Sequence, residues 1–183
     1  MPVDTIYTNG AGNFSGWLSR FHPYTLHRTQ LAPSAGSMGF GVPAAVAAKT
    51  ARRNQTVVAV NGDGDYMMNG QELATAVQYG LNIVFIVVNN GMYGTIRMHQ
   101  ERDYPGRVSG TALINPDFAA LARAYGAHGE TVTETAQFAD ALKRCIDSKK
   151  PSLIEVVIDP NAITTSTTIE AIREKAKQTT GAH

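Results

Sequence analysis

Val57-Val58-Ala59-Val60-Asn61-Gly62-Asp63-Gly64, followed after a helix-patterned segment by Ile83-Val84-Phe85-Ile86-Val87-Val88-Asn89-Asn90, decides the fold. Each half begins as a short, continuous apolar run, the pattern of a strand buried on both faces. Each run ends in an oxygen-bearing side chain: Asp63, in a Gly-Asp-Gly turn, and Asn90. Between them, residues 67–79 predict one helix with Leu73, Ala76 and Val77 inward and Gly80 as its stop. If the two strands are parallel neighbours, Asp63 and Asn90 emerge at the same carboxyl edge of one sheet. Open α/β sheets bind their ligands at that edge.

Outward from this stretch the chain alternates strand and helix. Residues 5–8 predict a strand ending at Asn9-Gly10-Ala11-Gly12-Asn13, and residues 14–21 a helix with Trp17, Leu18 and Phe21 on one face. Residues 24–28 predict a second short strand. The loop 31–41, rich in Gly, Ser and Pro, precedes a helix over 42–51 with Pro43 in its first turn, where proline is tolerated. Residues 91–111 have no clean period and read as a functional surface segment. Asn115-Pro116-Asp117 caps a helix over 118–125. A strand over 129–132, a helix over 136–148, a strand over 151–158 and a charged helix over 169–177 complete the chain. The helix over 136–148 carries Phe138, Ala141, Leu142 and Cys145 at i, i+3, i+4, i+7, so Cys145 is a core residue. The sum is an α/β chain: a doubly wound, mostly parallel sheet with helices on both faces. Right-handed crossovers bring 9–13, 62–65 and 89–94 to one edge.

The bulk numbers narrow the function. At 183 residues the chain is read as a single domain, and a net charge of +1 with no basic block argues against a nucleic-acid binder. One cysteine excludes a disulfide within the chain and a cysteine-based zinc site. No signal pattern opens the chain, and its longest apolar run, 83–88, is far short of the roughly 20 residues a span needs. A cytoplasmic protein is expected. His22, His27, His128 and His183 show no metal-ligand spacing and are read as structural or exposed.

The tips carry the chemistry. Asp63 offers a carboxylate oxygen and Asn90 an amide oxygen, a hard donor set suited to Mg²⁺ or Ca²⁺. Glycines at 62, 64, 91 and 94 let backbone approach a bulky anion. No Walker loop is present, and Gly62-Asp63-Gly64 is followed by Met67 where a dinucleotide fingerprint needs glycine. Asp63 inside the turn would repel a pyrophosphate unless a cation lies between them. A metal-bridged phosphate ester or diphosphate is therefore expected. A receiver or phosphatase domain needs a nucleophilic Asp at the end of the first strand, and 9–13 has none.

Gly62-Asp63-Gly64 with Asn89-Asn90 at this spacing resembles the thiamine-diphosphate motif. Gly36-Ser37-Met38-Gly39-Phe40-Gly41-Val42-Pro43-Ala44-Ala45 is similar to the cofactor segment of the acetolactate synthase branch, as are Asn115-Pro116-Asp117-Phe118 and Ile154-Glu155-Val156. The resemblance covers nearly the whole chain and is to the C-terminal, diphosphate-binding domain of these enzymes. It implies Mg²⁺ held by Asp63, the Asn90 side chain and the Met92 backbone oxygen. It places Gly12, Asn13, Gly64, Asp65 and Gly94 along the diphosphate. The Gly36 carbonyl would accept from the pyrimidine amino group, and Met38 would wedge the cofactor into its bent form. It implies decarboxylation of a 2-oxo acid, with the aldehyde unit released or transferred to a second carbonyl.

The activating glutamate of such enzymes comes from an N-terminal pyrimidine-binding domain, which nothing in this chain matches. The chain is expected to be the C-terminal part of a longer enzyme, inactive alone and working as a homodimer or tetramer; the alternative is a separate cofactor-binding subunit. Three positions depart from the acetolactate synthase pattern. Phe14 stands for a His, His99, expected on the substrate side, for a Trp, and Asp65 for a small Ser. Asp at 65 is similar to glyoxylate carboligase, and the substrate is left open among pyruvate, glyoxylate and larger oxo acids, with a benzoylformate decarboxylase-like enzyme as a further reading.

Overall fold

The computed structural model describes residues 1–180; His183 lies outside them. The strands are β1 (Ile6–Asn9), β2 (Gln30–Leu31), β3 (Val57–Gly62), β4 (Val84–Asn89), β5 (His128–Val132) and β6 (Ser152–Val157). They form one sheet in the order β2-β1-β3-β4-β6-β5, every pairing parallel. The helices are α1 (Ser15–Phe21), α2 (Gly41–Ala51), α3 (Asp63–Asn69), α4 (Glu72–Gln78), α5 (Gly94–Asp103), α6 (Phe118–Ala124), α7 (Phe138–Asp147) and α8 (Ile169–Thr180).

The apolar strands are central because both faces are covered. Val57, Ala59, Phe85, Val87 and Leu153 enter one buried cluster with Val42, Ala45, Tyr66, Leu73 and Phe118. Val58, Val84 and Ile154 enter the other with Ala141 and Cys145. The chain leaves β1 toward β2 on one side and returns to β3 on the other, so the order reverses between β1 and β3. A ligand crevice opens at such a reversal, outside the carboxyl ends. Gly62 pairs in register with Val88, which puts Asp63 and Asn90 at the tips of adjacent strands.

Four expectations need correction. Gly62-Asp63-Gly64 is not a turn: Gly62 is the N-cap and Asp63 the first residue of α3. The helix over 67–79 is two, because at Gly70-Gln71 the backbone tightens to i→i+3 bonds, Leu73 N–H to Gly70 O at 3.0 Å and Ala74 N–H to Gln71 O at 2.9 Å. Residues 24–28 form no strand; Arg28 takes a left-handed φ of 64°, and the pairing with β1 comes two residues later. Residues 91–111 contain α5, whose buried position is a charged residue, Glu101. Its carboxylate is paired with Arg97 and Arg173, so no apolar stripe announces the helix. Among the described residues no helix is long and apolar enough to cross a membrane.

Candidate cofactor site

The carboxyl tips of β1, β3 and β4 open into a cavity of about 590 Å³. Its lining includes Gly12, Asn13, Met38, Asp63, Gly64, Asp65, Asn90, Met92 and Gly94, brought together from four separate stretches of chain, two of them running into the first turns of α3 and α5. Gly36 and His99, expected here too, are not among the lining residues; both are exposed, Gly36 at a φ of 65° and His99 on α5. The remaining wall is apolar, with Trp17, Leu18, Ile86, Phe138 and Ile163.

The Asp63 carboxylate is the organising group. It is 3% exposed, in the first turn of α3, where unpaired N–H groups favour negative charge. Oδ1 accepts from Gly64 N–H at 2.9 Å; Oδ2 accepts from Gly91 N–H at 2.9 Å and from Asn115 Nδ2 at 2.7 Å. Asn115 Nδ2 also donates to Asn89 Oδ1 at 2.9 Å, and Asn89 Nδ2 donates to Glu155 Oε1 at 2.7 Å. The two asparagines of the Asn-Asn pair thus divide the work. Asn89 joins the strand tips, while Asn90 lines the cavity, its Oδ1 taking only a 3.2 Å bond from Met92 N–H.

In the sequence Glu155 stood out only as part of a matching segment, and Asn115 as part of another and of a helix cap; neither carried a role at the site. An Asn after an exposed Ile114 carries no local sign that it reaches Asp63, 52 positions away.

Glycines give the site its closeness. A Cβ at Gly64 would lie 2.5 Å from the Tyr93 ring, and one at Gly94 2.9 Å from Ile163 Cδ1. Phe14 lays its ring across Gly12 and Gly62, 2.7 and 2.9 Å from where their Cβ atoms would be. Asn13 is held by Thr95, whose hydroxyl donates to Asn13 Oδ1 at 3.0 Å.

The charge balance is one-sided. Two carboxylates, Asp63 and Asp65, line the cavity, and among the described residues no Lys, Arg or His does. Burial pushes the Asp65 carboxyl up to about 6, against the opposing effect of its hydrogen bond from Gly39 N–H. An anion can enter such a cavity only with a cation. The oxygen donors at hand, a carboxylate, an amide and backbone carbonyls, suit a hard divalent ion that keeps part of its shell for phosphate oxygens. The residues therefore fit a metal-bridged diphosphate.

Comparison with known proteins gives the same direction. The family model described as "Thiamine pyrophosphate enzyme, C-terminal TPP binding domain" matches residues 10–156. The chain is 39% identical over 160 residues to the acetolactate synthase isozyme 2 large subunit of Escherichia coli (strain K12), covering 86% of this chain and 29% of that protein. It is 36% identical over 159 residues to the probable acetolactate synthase large subunit of Methanocaldococcus jannaschii, covering 86% and 27%. The chain thus spans less than a third of the length of these curated relatives. Benzoylformate decarboxylase from Polynucleobacter necessarius shares the fold at a TM-score of 0.80 and 24% identity, over 87% of this chain and 31% of that one.

Proposed function

The chain belongs to the family of C-terminal TPP-binding domains of thiamine pyrophosphate enzymes, and on that premise we propose that it anchors the diphosphate end of thiamine diphosphate through Mg²⁺. It does so as the C-terminal domain of an acetolactate synthase-like enzyme that decarboxylates a 2-oxo acid and releases or transfers the aldehyde unit. The observation that carries this reading is the convergence of Asp63 and Asn90, from adjacent strand tips, on one cavity lined by two carboxylates and, among the described residues, by no cationic side chain.

In this reading Asp63, the Asn90 side chain and the Met92 backbone oxygen hold the metal. Gly12, Asn13, Gly64 and Gly94 lie along the diphosphate, where glycine permits close approach. Met38 stands in the cavity as an apolar support, and the Gly36 carbonyl would accept from the pyrimidine amino group. The cofactor, when bound, supplies the carbon nucleophile that attacks the oxo carbonyl. The protein's part is to orient it, to keep the diphosphate neutralised, and to exclude water with the wall of Trp17, Ile86 and Phe138. The activating carboxylate comes from a pyrimidine-binding domain of the same or a partner chain, and in this reading the working enzyme is a homodimer or tetramer.

Calorimetric titration of the chain with thiamine diphosphate in the presence and absence of Mg²⁺ tests the reading. Metal-dependent binding that Asp63→Ala abolishes is expected. Binding that is indifferent to Mg²⁺ and to Asp63 refutes it.

A further inference from the structure

Asp65 lines the cavity with one carboxylate oxygen engaged by the protein, while the other, Oδ2, is buried without a partner. The side chain is 2% exposed, and Oδ1 accepts from the backbone N–H of Gly39 at 2.7 Å. Four residues along α3, Asn69 Nδ2 donates to the carbonyl of the same residue, Gly39, at 2.8 Å. Positions i and i+4 share one helix face. One face of α3 therefore grips a single residue of the 31–41 loop at both its N–H and its C=O.

Gly39 is built for that grip. Its φ is 80°, a conformation open to glycine at little cost. A Cβ there would lie 2.8 Å from Asn69 Nδ2 and 3.0 Å from Met68 Cβ, so any side chain would push α3 away. The residue before it, Met38, lines the cofactor cavity. Beyond it, α2 begins at Gly41. The N-terminal side of the same loop carries no comparable tie: residues 34–37 are exposed, and a Gly36 N–H to Pro33 O bond of 3.3 Å is its main internal contact.

We propose that Asp65 and Asn69 are positioning residues: together they clamp Gly39 and so fix how far Met38 projects into the cavity. This rests on the cofactor reading only for its consequence; the clamp itself is a property of the chain alone. The helix whose first residue, Asp63, anchors the metal thereby sets the height of the apolar support through its third and seventh residues. When bound, the cofactor would have its metal anchor and its apolar support set by one helix.

The test uses the 183-residue chain with ¹³C-methyl methionine, following Met38 against Met1, outside both α3 and the loop, as the internal control. Asn69→Ala and Asp65→Ala are expected to shift and broaden the Met38 methyl resonance. Asp65→Asn, which keeps an oxygen acceptor at Oδ1, should restore it close to its wild-type position. Thiamine diphosphate with Mg²⁺ should bind five- to twentyfold more weakly to the two alanine variants than to Asp65→Asn. Should Asp65→Ala unfold, Asn69→Ala and the exchange rate of the Gly39 amide carry the test, since that amide is protected only while Asp65 holds it. A Met38 resonance unmoved in Asn69→Ala, or rapid exchange of the Gly39 amide in the wild-type chain, overturns the clamp. Failure of the wild-type chain to bind thiamine diphosphate even when a complementary pyrimidine-binding domain is supplied overturns the cofactor reading instead, and the clamp then stands or falls on the methyl response alone.

Discussion

Asn115 donates one amide nitrogen to both Asp63 Oδ2, at 2.7 Å, and Asn89 Oδ1, at 2.9 Å. A residue from the loop before α6 therefore locks the carboxylate at the tip of β3 to the amide at the tip of β4. A metal ligand held by a neighbour in this way keeps its orientation without reorganising on binding, and loss of such a partner typically weakens metal affinity about 10- to 100-fold.

Asn115→Ala is accordingly expected to weaken Mg²⁺-dependent thiamine diphosphate binding by roughly tenfold or more while leaving the fold intact. Calorimetry with the cofactor, beside a thermal melt of the free chain, separates the two effects. Equal affinity for wild type and variant would show that Asp63 needs no such support.

Glu101 gives the pH prediction. Hydrogen bonds from the Arg173 guanidinium, chiefly, and from Gly106 N–H and Arg97 hold its carboxyl at about 2 against an opposing effect of burial; its ordinary value is 4.5. A depressed folded value means that the stabilisation is complete above the ordinary value and is lost as pH falls through it toward 2. Glu101→Gln should flatten the fall in stability between pH 5 and pH 2, about one carboxyl's share of it, in urea melts across that range. The pair Glu101–Arg173 also ties α8 to α5. Glu101→Ala, which strands two arginines, should cost on the order of 3 kcal/mol.

Gly64→Ala places a methyl 2.5 Å from the Tyr93 ring and 3.2 Å from Leu113 Cδ1. Overpacking of this kind costs about 1–3 kcal/mol. The melting temperature should drop, and removing the ring with Tyr93→Ala in the same chain should recover part of the loss. A single variant as stable as wild type would mean that Tyr93 moves aside freely.

Cys145 is 1% exposed, and burial pushes its thiol up to about 12. The thiolate is the reactive form, so an aromatic disulfide reagent at pH 8 should leave the folded chain unlabelled and modify one thiol on unfolding. Rapid labelling of the native chain would contradict the buried placement of Cys145 on α7, in one cluster with Ile154 of β6.

The parts of this molecule that a single sequence reveals are those where local pattern and tertiary role coincide. The runs 57–60 and 83–88 read as buried strands because both faces are covered, so no polar residue interrupts them. Asp117 signals the start of α6 because its carboxylate accepts from Ala120 N–H, three residues on, at 2.7 Å. Helix α5 was hidden because its inward position is a glutamate neutralised by Arg173, 72 positions away. The division of residues 63–78 into α3 and α4 was hidden for a related reason. The break falls at Gly70, where a Cβ would lie 2.5 Å from the Tyr66 ring, and that crowding does not exist in the unfolded chain.

By itself, then, the sequence determined an alternating α/β chain, a parallel sheet, and a carboxyl edge where Asp63 and Asn90 meet. These follow from periodicity and from the handedness of crossovers, which are properties of short segments. Only the tertiary structure decided which oxygen atoms are free and which are engaged. It assigned Asn115 to Asp63, Asn89 to Glu155, and Asp65 with Asn69 to Gly39. The physical reason is that a hydrogen bond's partner is fixed by where two segments are packed, to within a fraction of an ångström, and that spacing along the chain carries no record of it.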